Sequence, residues 1–429
     1  MFNLIQFHHS ISELSLKMTP NNVLIVLILV IISNLQHIHA RTLYTWSQVV
    51  PQNQLSVRAI TDDNACPIAR VDNKQVEMKI RSSMNNTETV CELIVDRLAR
   101  HITVDDKKIA TLPKNIRKIA IIGDTGCRIK GDEQQACNSA EGWPLRKNLE
   151  AIALHKPELI VHVGDYLYRQ TKCLETTSCG NLFGYNPETW YADWFDPARD
   201  ISLRAPFIFI RGNHEACGRG HEGWFRYLDP FPFAPENCKP LDFSWAFDVG
   251  PVKFFIFDTS SPEEIFERQR KINAFNKFNS LICDKPTWFL THRPLWCTTT
   301  REPEVVALKS QGNLTDIEEF QDEFPKNVSA ILSGHFHIAQ ILLMDDFPDQ
   351  IIVGNGGALL YAQDQKPIYK NVDFHYPNGK NYSAHDIRNF FGFGFAIARL
   401  DSRALMFFNS DNKRLYSAGL TDDFKPRLK

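Results

Sequence analysis

Residues 118–126, KIAIIGDTG, form a short apolar run with a polar end, and five later segments repeat this arrangement. Runs of this length are typical of strands buried in a sheet. Residues 145–155, between the first two runs, have the pattern of a helix, and this alternation predicts an α/β architecture. The later segments are LIVHVGDYLY (159–168), FIFIRGNHE (207–215), FFIFDT (254–259), TWFLTH (287–292) and VSAILSGHFH (328–337).

The polar ends of these runs carry the candidate functional residues. Five runs end in Asp, Asn or His, and the sixth ends at Asp258. In open α/β sheets, ligand sites gather beyond the carboxyl ends of the strands. We therefore expect these side chains to meet, and the candidate metal ligands are Asp124, Asp165, Asn213, His292, His335 and His337.

Each candidate also has an ordinary structural explanation. Asp124 could close a strand, Asp165 could cap a helix and Asn213 could form a tight turn. Together they fit a di-metal hydrolase, in which a carboxylate such as Asp165 bridges two cations and other residues complete each site. His335 and His337 are two apart, so in an extended segment both project to the same side. The mixed oxygen and imidazole set suits iron, zinc or manganese better than calcium.

The blocks GD, GDxxY, GNHE, H and GHxH, in this order, resemble the signature of the calcineurin-like metallophosphoesterases over residues 116 to about 340. The resemblance implies two packed mixed β-sheets flanked by helices, the metallophosphoesterase sandwich. It also implies that His214 contacts the phosphate and protonates the leaving oxygen, with Glu215 as a possible orienting neighbour. By the same resemblance, one metal is bound by Asp124, Asp165, Tyr168 and His337, and the other by Asp165, Asn213, His292 and His335.

One position departs from the commonest family pattern. Many members have Asp-x-His in the first block, whereas here residue 126 is Gly. Tyr168, three residues after Asp165, resembles the ligand of the purple acid phosphatase branch, where a tyrosinate binds a ferric ion. The implied cofactors are Fe(III) and a divalent ion, which is Fe, Zn or Mn. Tyr168 could instead be a core aromatic, and bacterial alkaline phosphodiesterases and phosphatases carry a similar block.

The resemblance implies a secreted phosphomonoesterase, an acid phosphatase in which metal-bound hydroxide attacks a small phosphorylated substrate in line. The first alternative is a phosphodiesterase acting on nucleotide or lipid diesters. The second is a catalytically silent metal-binding protein, against which the extra histidine His214 argues. Cationic residues beside the motifs could contact substrate, although each is expected to be solvated or ion-paired: Arg128, Arg169, Arg219, His221 and Arg293.

Composition limits the other function classes. Hydrophobic residues make up 43% and charged residues 23% of the 429 residues, as is ordinary for a globular protein. The formal net charge of −2 gives no basic surface with which to grip nucleic acid. The sequence leaves the oligomeric state open.

The first 112 residues divide into two parts. Residues 23–32 are an apolar run of the length found in a signal-peptide core, too short for a membrane-spanning helix. We predict a signal peptide over 1–40, no stable membrane span after processing, and a secreted or periplasmic protein; an uncleaved anchor is the alternative. Residues 41–112 contain alternating segments, such as 55–60 and 76–80, that predict half-buried strands of a small N-terminal β-rich domain. The catalytic domain then covers 113–429.

The cysteines favour an exported protein. All ten lie after residue 60, their number is even, and they show no metal-type C-x-x-C spacing, so we expect disulfides. Our hypothesis pairs neighbours along the chain, because each pair would then close one local loop. The pairs are Cys66 with Cys91, Cys127 with Cys137, Cys173 with Cys179, Cys217 with Cys238 and Cys283 with Cys297.

Overall fold

A computed structural model describes residues 41–84, 88–238, 244–260, 280, 285–298, 327–361, 366–375 and 381–427. The predicted signal peptide lies outside these residues. The described strands, in chain order, are β1 (Thr42–Val50), β2 (Gln54–Thr61), β3 (Ile68–Val71), β4 (Lys74–Glu77), β5 (Lys79–Met84), β6 (Glu88–Asp96), β7 (Ile102–Val104), β8 (Lys107–Ile109), β9 (Lys118–Ile122), β10 (Ile129–Lys130), β11 (Glu133–Gln134), β12 (Leu159–His162), β13 (Phe207–Phe209), β14 (Trp245–Asp248), β15 (Lys253–Ile256), β16 (Thr287–Leu290), β17 (Val328–Ser333), β18 (Ala339–Met344), β19 (Asp349–Val353), β20 (Ile368–His375), β21 (Asn381–Phe390), β22 (Gly394–Arg399), β23 (Ala404–Asn409), β24 (Arg414–Leu420) and β25 (Pro426–Arg427).

Two large mixed sheets contain most of these strands. The first has eleven strands in the order β25-β24-β23-β22-β9-β12-β13-β1-β2-β6-β5, and the second has eight in the order β14-β15-β16-β17-β19-β18-β21-β20. All six apolar runs of the sequence form strands, and β22 and β23 form an antiparallel hairpin. The strands β9, β12 and β13 are parallel neighbours, as are β15, β16 and β17. Their carboxyl ends therefore lie at one edge of each sheet.

The helical segments lie in the connections. Among the described residues the longest is α1 (Leu145–Leu154), close to the helix predicted over 145–155. The shorter ones are α2 (Thr176–Cys179), α3 (Pro187–Trp190), α4 (Asp196–Ala198) and α5 (His221–Gly223), with π-helical turns at Tyr191–Phe195 and Trp224–Leu228 and 3-10 turns at Ile201–Leu203, Asn213–Glu215 and Pro235–Asn237.

The main core lies between the two sheets. In β9, Ile119 and Ile121 pack in one cluster with residues of the second sheet such as Phe254 and Leu290. The alternate residue Ile122 belongs to a second cluster formed with helical segments on the opposite face. Strands covered on both faces explain the continuous apolar runs in the sequence. The predicted sandwich of two mixed sheets with flanking helices is confirmed.

The β-rich region at 41–112 is continuous with the large sheet. β1 pairs in parallel with β13, and β2, β6 and β5 extend the sheet from there. Only β4, β3, β7 and β8 form a separate small sheet. A domain boundary after residue 112 stays a prediction.

Two local predictions for this region are wrong. Residues 55–60 were expected to be half-buried, yet β2 is buried along nearly its whole length because it lies inside the sheet and its polar residues face other polar groups. Residues 76–80 were expected to form one strand. They are divided at the buried Met78 between β4 and β5, which belong to different sheets.

Four of the five expected disulfides are present: Cys66–Cys91, Cys127–Cys137, Cys173–Cys179 and Cys217–Cys238. The fifth expected pair, Cys283 with Cys297, is wrong, because Cys297 is a buried free thiol; Cys283 itself lies outside the described residues. Four disulfides in one chain fit an oxidising, extracellular environment. Across the described ranges, no helix has both the length and the apolar character needed to cross a membrane.

Candidate metal centre

The strand ends bring the predicted ligands to one place, at the carboxyl edges of both sheets. Asp124 and Asp165 follow the neighbouring strands β9 and β12, and Asn213 begins the 3-10 turn after β13. From the second sheet, His292 follows β16. His335 and His337 follow β17, the next strand.

The backbone is strained where these side chains are presented. Asp124, Asp165 and His335 have φ angles of 54°, 62° and 71°, in the left-handed region that residues other than glycine rarely adopt. The preceding glycines are required by close approach. A Cβ at Gly212 would lie 2.1 Å from an Asp165 carboxylate oxygen, and one at Gly334 would lie 2.4 Å from an Asp124 oxygen. These contacts explain why glycine precedes the ligands in the GN and GH blocks.

The first group of candidate metal ligands is centred on Tyr168. Its hydroxyl lies 2.7 Å from Asp165 Oδ2, 3.0 Å from Asp124 Oδ1 and 2.8 Å from His337 Nε2. A phenol has one proton to donate, so it cannot donate to both carboxylates and to the imidazole at once. Three acceptors therefore crowd one hydroxyl, and all four side chains are buried.

The second group shares Asp165 with the first. His292 Nε2 lies 3.2 Å from Asp165 Oδ2 and 3.0 Å from Asn213 Oδ1. His335 Nδ1 lies 2.8 Å from the same Asn213 oxygen. One ligand atom from each of Asp165, His292 and His335 lies within 4.8 Å of the others. Asn213 and His335 are only partly buried, so the open side of the site is here.

The protonation of two histidines shows that these groups fit cations. His292 Nδ1 lies 2.8 Å from Val163 O, and His337 Nδ1 lies 2.6 Å from Leu359 O. A carbonyl can only accept, so each Nδ1 carries a hydrogen, and when a ring is neutral its Nε2 presents a lone pair. In His292 this lone pair faces two further acceptor oxygens, which repel it. A shared metal ion would turn these repulsions into coordination bonds, and backbone carbonyls that orient ligating imidazoles in this way are a regular feature of metal sites.

The electrostatics agree with such a site. Burial raises the pKa of the Asp124 carboxyl well above its usual range, and the charge of Asp165 adds to the effect. Burial acts in the same direction on Asp165, but hydrogen bonds from His292 and His214 and the positive charge that these two residues carry when protonated outweigh it and hold the pKa of that carboxyl well below its usual range. Burial also lowers the pKa of His337 to about 4. The imidazole is then in the neutral form that binds metals.

The absence of a histidine at position 126 has a steric explanation. A Cβ at Gly126 would lie 2.4 Å from Tyr166 O and 2.9 Å from Tyr168 N, so no larger residue fits there. The hydroxyl of Tyr168 approaches Asp124 to 3.0 Å. Residue 126 is glycine and has no side chain that could bind a metal ion. Tyr168 therefore supplies a ligand atom to the first group.

His214 is fixed beside both groups. Its Nδ1 donates to Leu167 O at 2.6 Å, which leaves Nε2 directed at the site, 4.0 Å from Asp165 Oδ2. Its backbone N–H donates to Asp165 Oδ1 at 2.8 Å. Burial lowers the pKa of this imidazole well below its usual range. The ring thus presents one nitrogen to whatever binds between the strand ends.

Glu215 was suggested as a direct orienting partner of His214, and the structure gives it a different position. Glu215 accepts hydrogen bonds from the backbone N–H groups of Tyr166, Leu167 and Gly212. It therefore joins the loops after β12 and β13 and holds Leu167, whose carbonyl accepts from the His214 ring. Burial raises the pKa of this carboxyl to about 8.

Asp258, at the end of the remaining apolar run, does not join the ligand groups. One of its carboxylate oxygens lies 3.3 Å from Arg211 Nη1, and the other accepts from the Ser260 N–H at 2.8 Å. The contributors that sequence reasoning missed are the carbonyls of Val163, Leu167 and Leu359, for which no sequence signal exists. It also missed Tyr361, whose ring stacks on His337 with the centroids 4.6 Å apart.

Comparisons with known proteins agree with this geometry. The family model of the calcineurin-like phosphoesterases matches residues 117–339, slightly more than half of the chain. Among solved structures, the purple acid phosphatase PPD1 from yellow lupin (Lupinus luteus) seeds is similar at a TM-score of 0.57 and 15% identity, over 88% of this chain and 74% of that one. At this identity the likeness shows the fold. No curated protein matches the chain by sequence. By the family match, and with the donor groups its strands assemble, the chain belongs to the calcineurin-like phosphoesterases, which are metal-dependent enzymes.

Proposed function

We propose that the chain is a secreted acid phosphatase that hydrolyses phosphate monoesters with a pair of metal ions, Fe(III) and a divalent ion. Asp124, Asp165, Tyr168 and His337 would hold the ferric ion. Asp165, Asn213, His292 and His335 would hold the divalent ion. When bound, the ions neutralise charge on the phosphoryl oxygens and acidify a coordinated water molecule.

The observation that carries this proposal is the position of the Tyr168 hydroxyl, within 3.0 Å of both carboxylates and of His337. Burial raises the pKa of this phenol well above its usual range, with Asp124 and Asp165 adding to the shift. A strongly charged cation is then required to hold the phenol deprotonated, and a trivalent ion does this best. A ferric ion also acidifies water more strongly than Zn²⁺, which suits turnover at low pH.

The chain's own residues account for the rest of the reaction. The side of the site bordered by Asn213 and His335 is partly open, so substrate can approach there. His214 Nε2 faces the same space with its opposite nitrogen fixed on Leu167 O. When the ring is protonated at both nitrogens, a state that the charge of Asp165 favours, Nε2 is the atom that would give a proton to the leaving oxygen, while Glu215 keeps the two supporting loops together.

The test is hydrolysis of p-nitrophenyl phosphate and bis-p-nitrophenyl phosphate by metal-loaded protein between about pH 4 and 9. We expect strong monoester cleavage with an acidic optimum. A Tyr168→Phe variant should keep the fold and the divalent ion but lose ferric ion, measured as metal content. Phenylalanine retains the ring, so the variant isolates the hydroxyl.

Other outcomes would replace the proposal. A preference for the diester, or an alkaline optimum, would make the protein a phosphodiesterase. Absence of activity on both substrates, with metals bound, would leave a catalytically silent metal-binding protein.

Secretion rests on the cysteines. Four disulfides close local loops, and such bonds persist in oxidising compartments. Expression of the full chain in a secreting host, followed by amino-terminal sequencing of the protein from the medium, tests this. We expect a start near residue 41; retention in the membrane fraction with an intact amino terminus would indicate an anchor instead.

A further inference from the structure

Asp258 ends the apolar run whose polar residue joins neither group of candidate metal ligands, and it forms a buried ion pair instead. Its Oδ2 lies 3.3 Å from Arg211 Nη1, and its Oδ1 accepts from the Ser260 N–H at 2.8 Å. Arg211 follows β13 of the first large sheet, and Asp258 follows β15 of the second. The two residues, called here the inter-sheet pair, therefore join the carboxyl edges at which the metal centre lies.

On the side of the first sheet, the inter-sheet pair is fixed to the turn that carries Asn213. Arg211 is two residues before Asn213 in the chain. Its Nε donates to Glu215 O at 2.8 Å, and Glu215 is the last residue of that 3-10 turn. The planar guanidinium thus reaches the turn with one nitrogen and Asp258 with another, so the carboxylate of Asp258 helps to place the turn.

On the side of the second sheet, the residue after Asp258 contacts both chain neighbours of His292. Thr259 Oγ1 lies 2.7 Å from Thr291 Oγ1 and accepts from the Arg293 N–H at 3.0 Å. The Nε of Arg293 also donates to Thr259 O at 3.1 Å. The backbone that presents His292 is therefore tied to the segment that contains Asp258.

The two ligands connected in this way belong to the same group but come from different sheets. Asn213 Oδ1 and His292 Nε2 lie 3.0 Å apart. Metal sites require ligand distances that hold to within about 0.2 Å, so the spacing between the sheets matters for binding. The side chains of Arg211 and Asp258 are only 2% and 5% exposed, so water has little access with which to replace their contact.

We propose that Arg211 and Asp258 are positioning residues that set the spacing between Asn213 and His292 and thereby the affinity of the second ligand group for its divalent ion. The inference rests on the proposed two-metal site and adds two residues to it, neither of which binds an ion.

The first ligand group should be unaffected, because its supports are separate. The Tyr168 N–H donates to Asp193 Oδ2 at 3.2 Å, and His337 Nδ1 donates to Leu359 O at 2.6 Å. Neither contact involves the inter-sheet pair. Disruption of the pair should therefore weaken one ion and leave the other in place.

The experiment measures the dissociation constant of Zn²⁺ by competition with a chelator, on protein loaded with iron and zinc. In Asp258→Asn the side-chain shape and the acceptor for the Ser260 N–H remain, but the negative charge facing Arg211 is lost. We expect the Zn²⁺ dissociation constant to rise about tenfold or more, the effect typical of groups that support metal ligands, while iron content stays at the wild-type level. At saturating Zn²⁺, turnover of p-nitrophenyl phosphate should return to nearly the wild-type value, because every ligand is still present.

Arg211→Lys is the second variant, and it decides the question if Asp258→Asn does not fold. A single ammonium group keeps the charge but lacks the rigid fork that spans Glu215 O and Asp258. We expect a smaller rise in the Zn²⁺ dissociation constant.

Asp386→Asn is the matched control. The Asp386 side chain is 3% exposed and pairs with Arg388 Nε at 2.8 Å, so the same change breaks an equally buried pair within the second sheet. Its Zn²⁺ dissociation constant should equal that of the wild type. An unchanged constant in Asp258→Asn, equal losses of iron and zinc, turnover that excess Zn²⁺ does not restore, or the same loss in Asp386→Asn would overturn the proposal.

Binding of Zn²⁺ is measured without turnover, which separates this proposal from the phosphatase activity. A wild-type protein that binds both ions but hydrolyses no phosphate ester would refute only the activity, and the Zn²⁺ affinities of the variants would still decide the role of the inter-sheet pair. A wild-type protein that binds a single ion would refute both.

Discussion

Two clusters of buried polar residues in the described part of the chain are balanced in opposite ways. At the metal centre, Asp124 and Asp165 lie with a phenol and several imidazoles, and His292 Nε2 lies close to oxygens of Asp165 and Asn213. In the N-terminal strands, the fully buried Arg58 is paired with Glu92 at 2.7 Å. The first cluster needs a bound cation to balance its carboxylates, whereas the second contains an arginine that balances Glu92.

In the second cluster the arginine side chains donate hydrogen bonds to backbone carbonyls as well as forming ion pairs. Arg58 donates to Tyr227 O and Asp229 O, and Arg81 donates to Glu92 and to carbonyls between Phe225 and Phe231. These carbonyls belong to the end of the helical segment that follows the His214 turn. Burial of charge alone therefore does not identify a functional site. A metal site is indicated where buried acceptor atoms outnumber the donors around them, as at the Tyr168 hydroxyl.

The largest expected effect is that of Asp165→Asn, which removes the shared carboxylate. We expect kcat/KM for a monoester to fall by about 10⁴-fold, because both ions lose a ligand and the charge stabilisation they provide is worth several kcal/mol. Metal content should fall as well. The metal-free variant should be less stable than the metal-free wild type, since the lowered pKa of Asp165 means that its neighbours stabilise the ionised carboxylate. Retention of both metals and of activity would contradict the assignment of Asp165.

His214→Ala should lower kcat by about 10²- to 10³-fold while metal content stays at the wild-type level, because the ring assists the leaving group and binds no ion. His221→Ala is the matched control: it is seven residues further along, and its ring packs against Phe225 with the centroids 6.5 Å apart. We expect nearly wild-type turnover there. Loss of metal from His214→Ala would instead make His214 a structural ligand. Steady-state kinetics together with metal analysis separate the two.

Much of the fold around the metal centre could be predicted from the sequence because strands covered on both faces need continuous apolar runs. Such runs end where the strand leaves the sheet and polar residues begin, so Asp124, Asp165 and His292 could be recognised as strand-end residues. Their supporting atoms were not. The carbonyls of Val163 and Leu359, which fix the histidine tautomers, are backbone groups that every residue has.

The N-terminal strands were harder to predict for a physical reason. Alternation of polar and apolar residues normally indicates one face in water. In β2 the polar residues Ser56 and Arg58 instead face Glu92, whose carboxylate accepts from both. Because Glu92 lies 34 residues after Arg58 in the sequence, no local pattern reveals the pairing. The sequence therefore predicted the strand but not its burial.

Glu92→Gln tests whether the ion pairs of Glu92 with Arg58 and Arg81 stabilise the fold. The change keeps the side-chain shape but leaves two buried guanidinium groups short of a negative charge, and we expect the free energy of unfolding at pH 7 to fall by about 3 kcal/mol. Arg117→Gln is the control: it removes a pair with Glu158 in which the arginine side chain is 66% exposed, so the loss should be below about 1 kcal/mol. Denaturant unfolding of the metal-free proteins measures both. Equal losses would show that the buried cluster contributes no more than a surface pair.

The smallest effect concerns the pH dependence of the same cluster. Burial raises the pKa of the Glu92 carboxyl, but the charges of Arg58 and Arg81 outweigh it and lower the pKa to about 2, from 4.5. A lowered folded-state pKa contributes stability above the unfolded value, and this contribution is lost as the pH falls from about 4.5 to about 2. We expect a loss of about 2 kcal/mol over this range, after allowance for the partial exposure of the side chain.

Asp229, in the same cluster, affects the pH dependence of stability in the opposite direction. Burial raises its pKa to about 7 against the lowering effect of Arg81, so the stability it contributes is lost as the pH rises from about 4 to about 7. The two residues therefore act mostly in different pH ranges. Unfolding free energies of the metal-free wild type and Glu92→Gln, measured from pH 2 to 6, should converge below pH 4.5. A difference that stays constant over the whole range would mean that Glu92 is not held ionised by the two arginines, and the contrast with the metal centre would then rest on geometry alone.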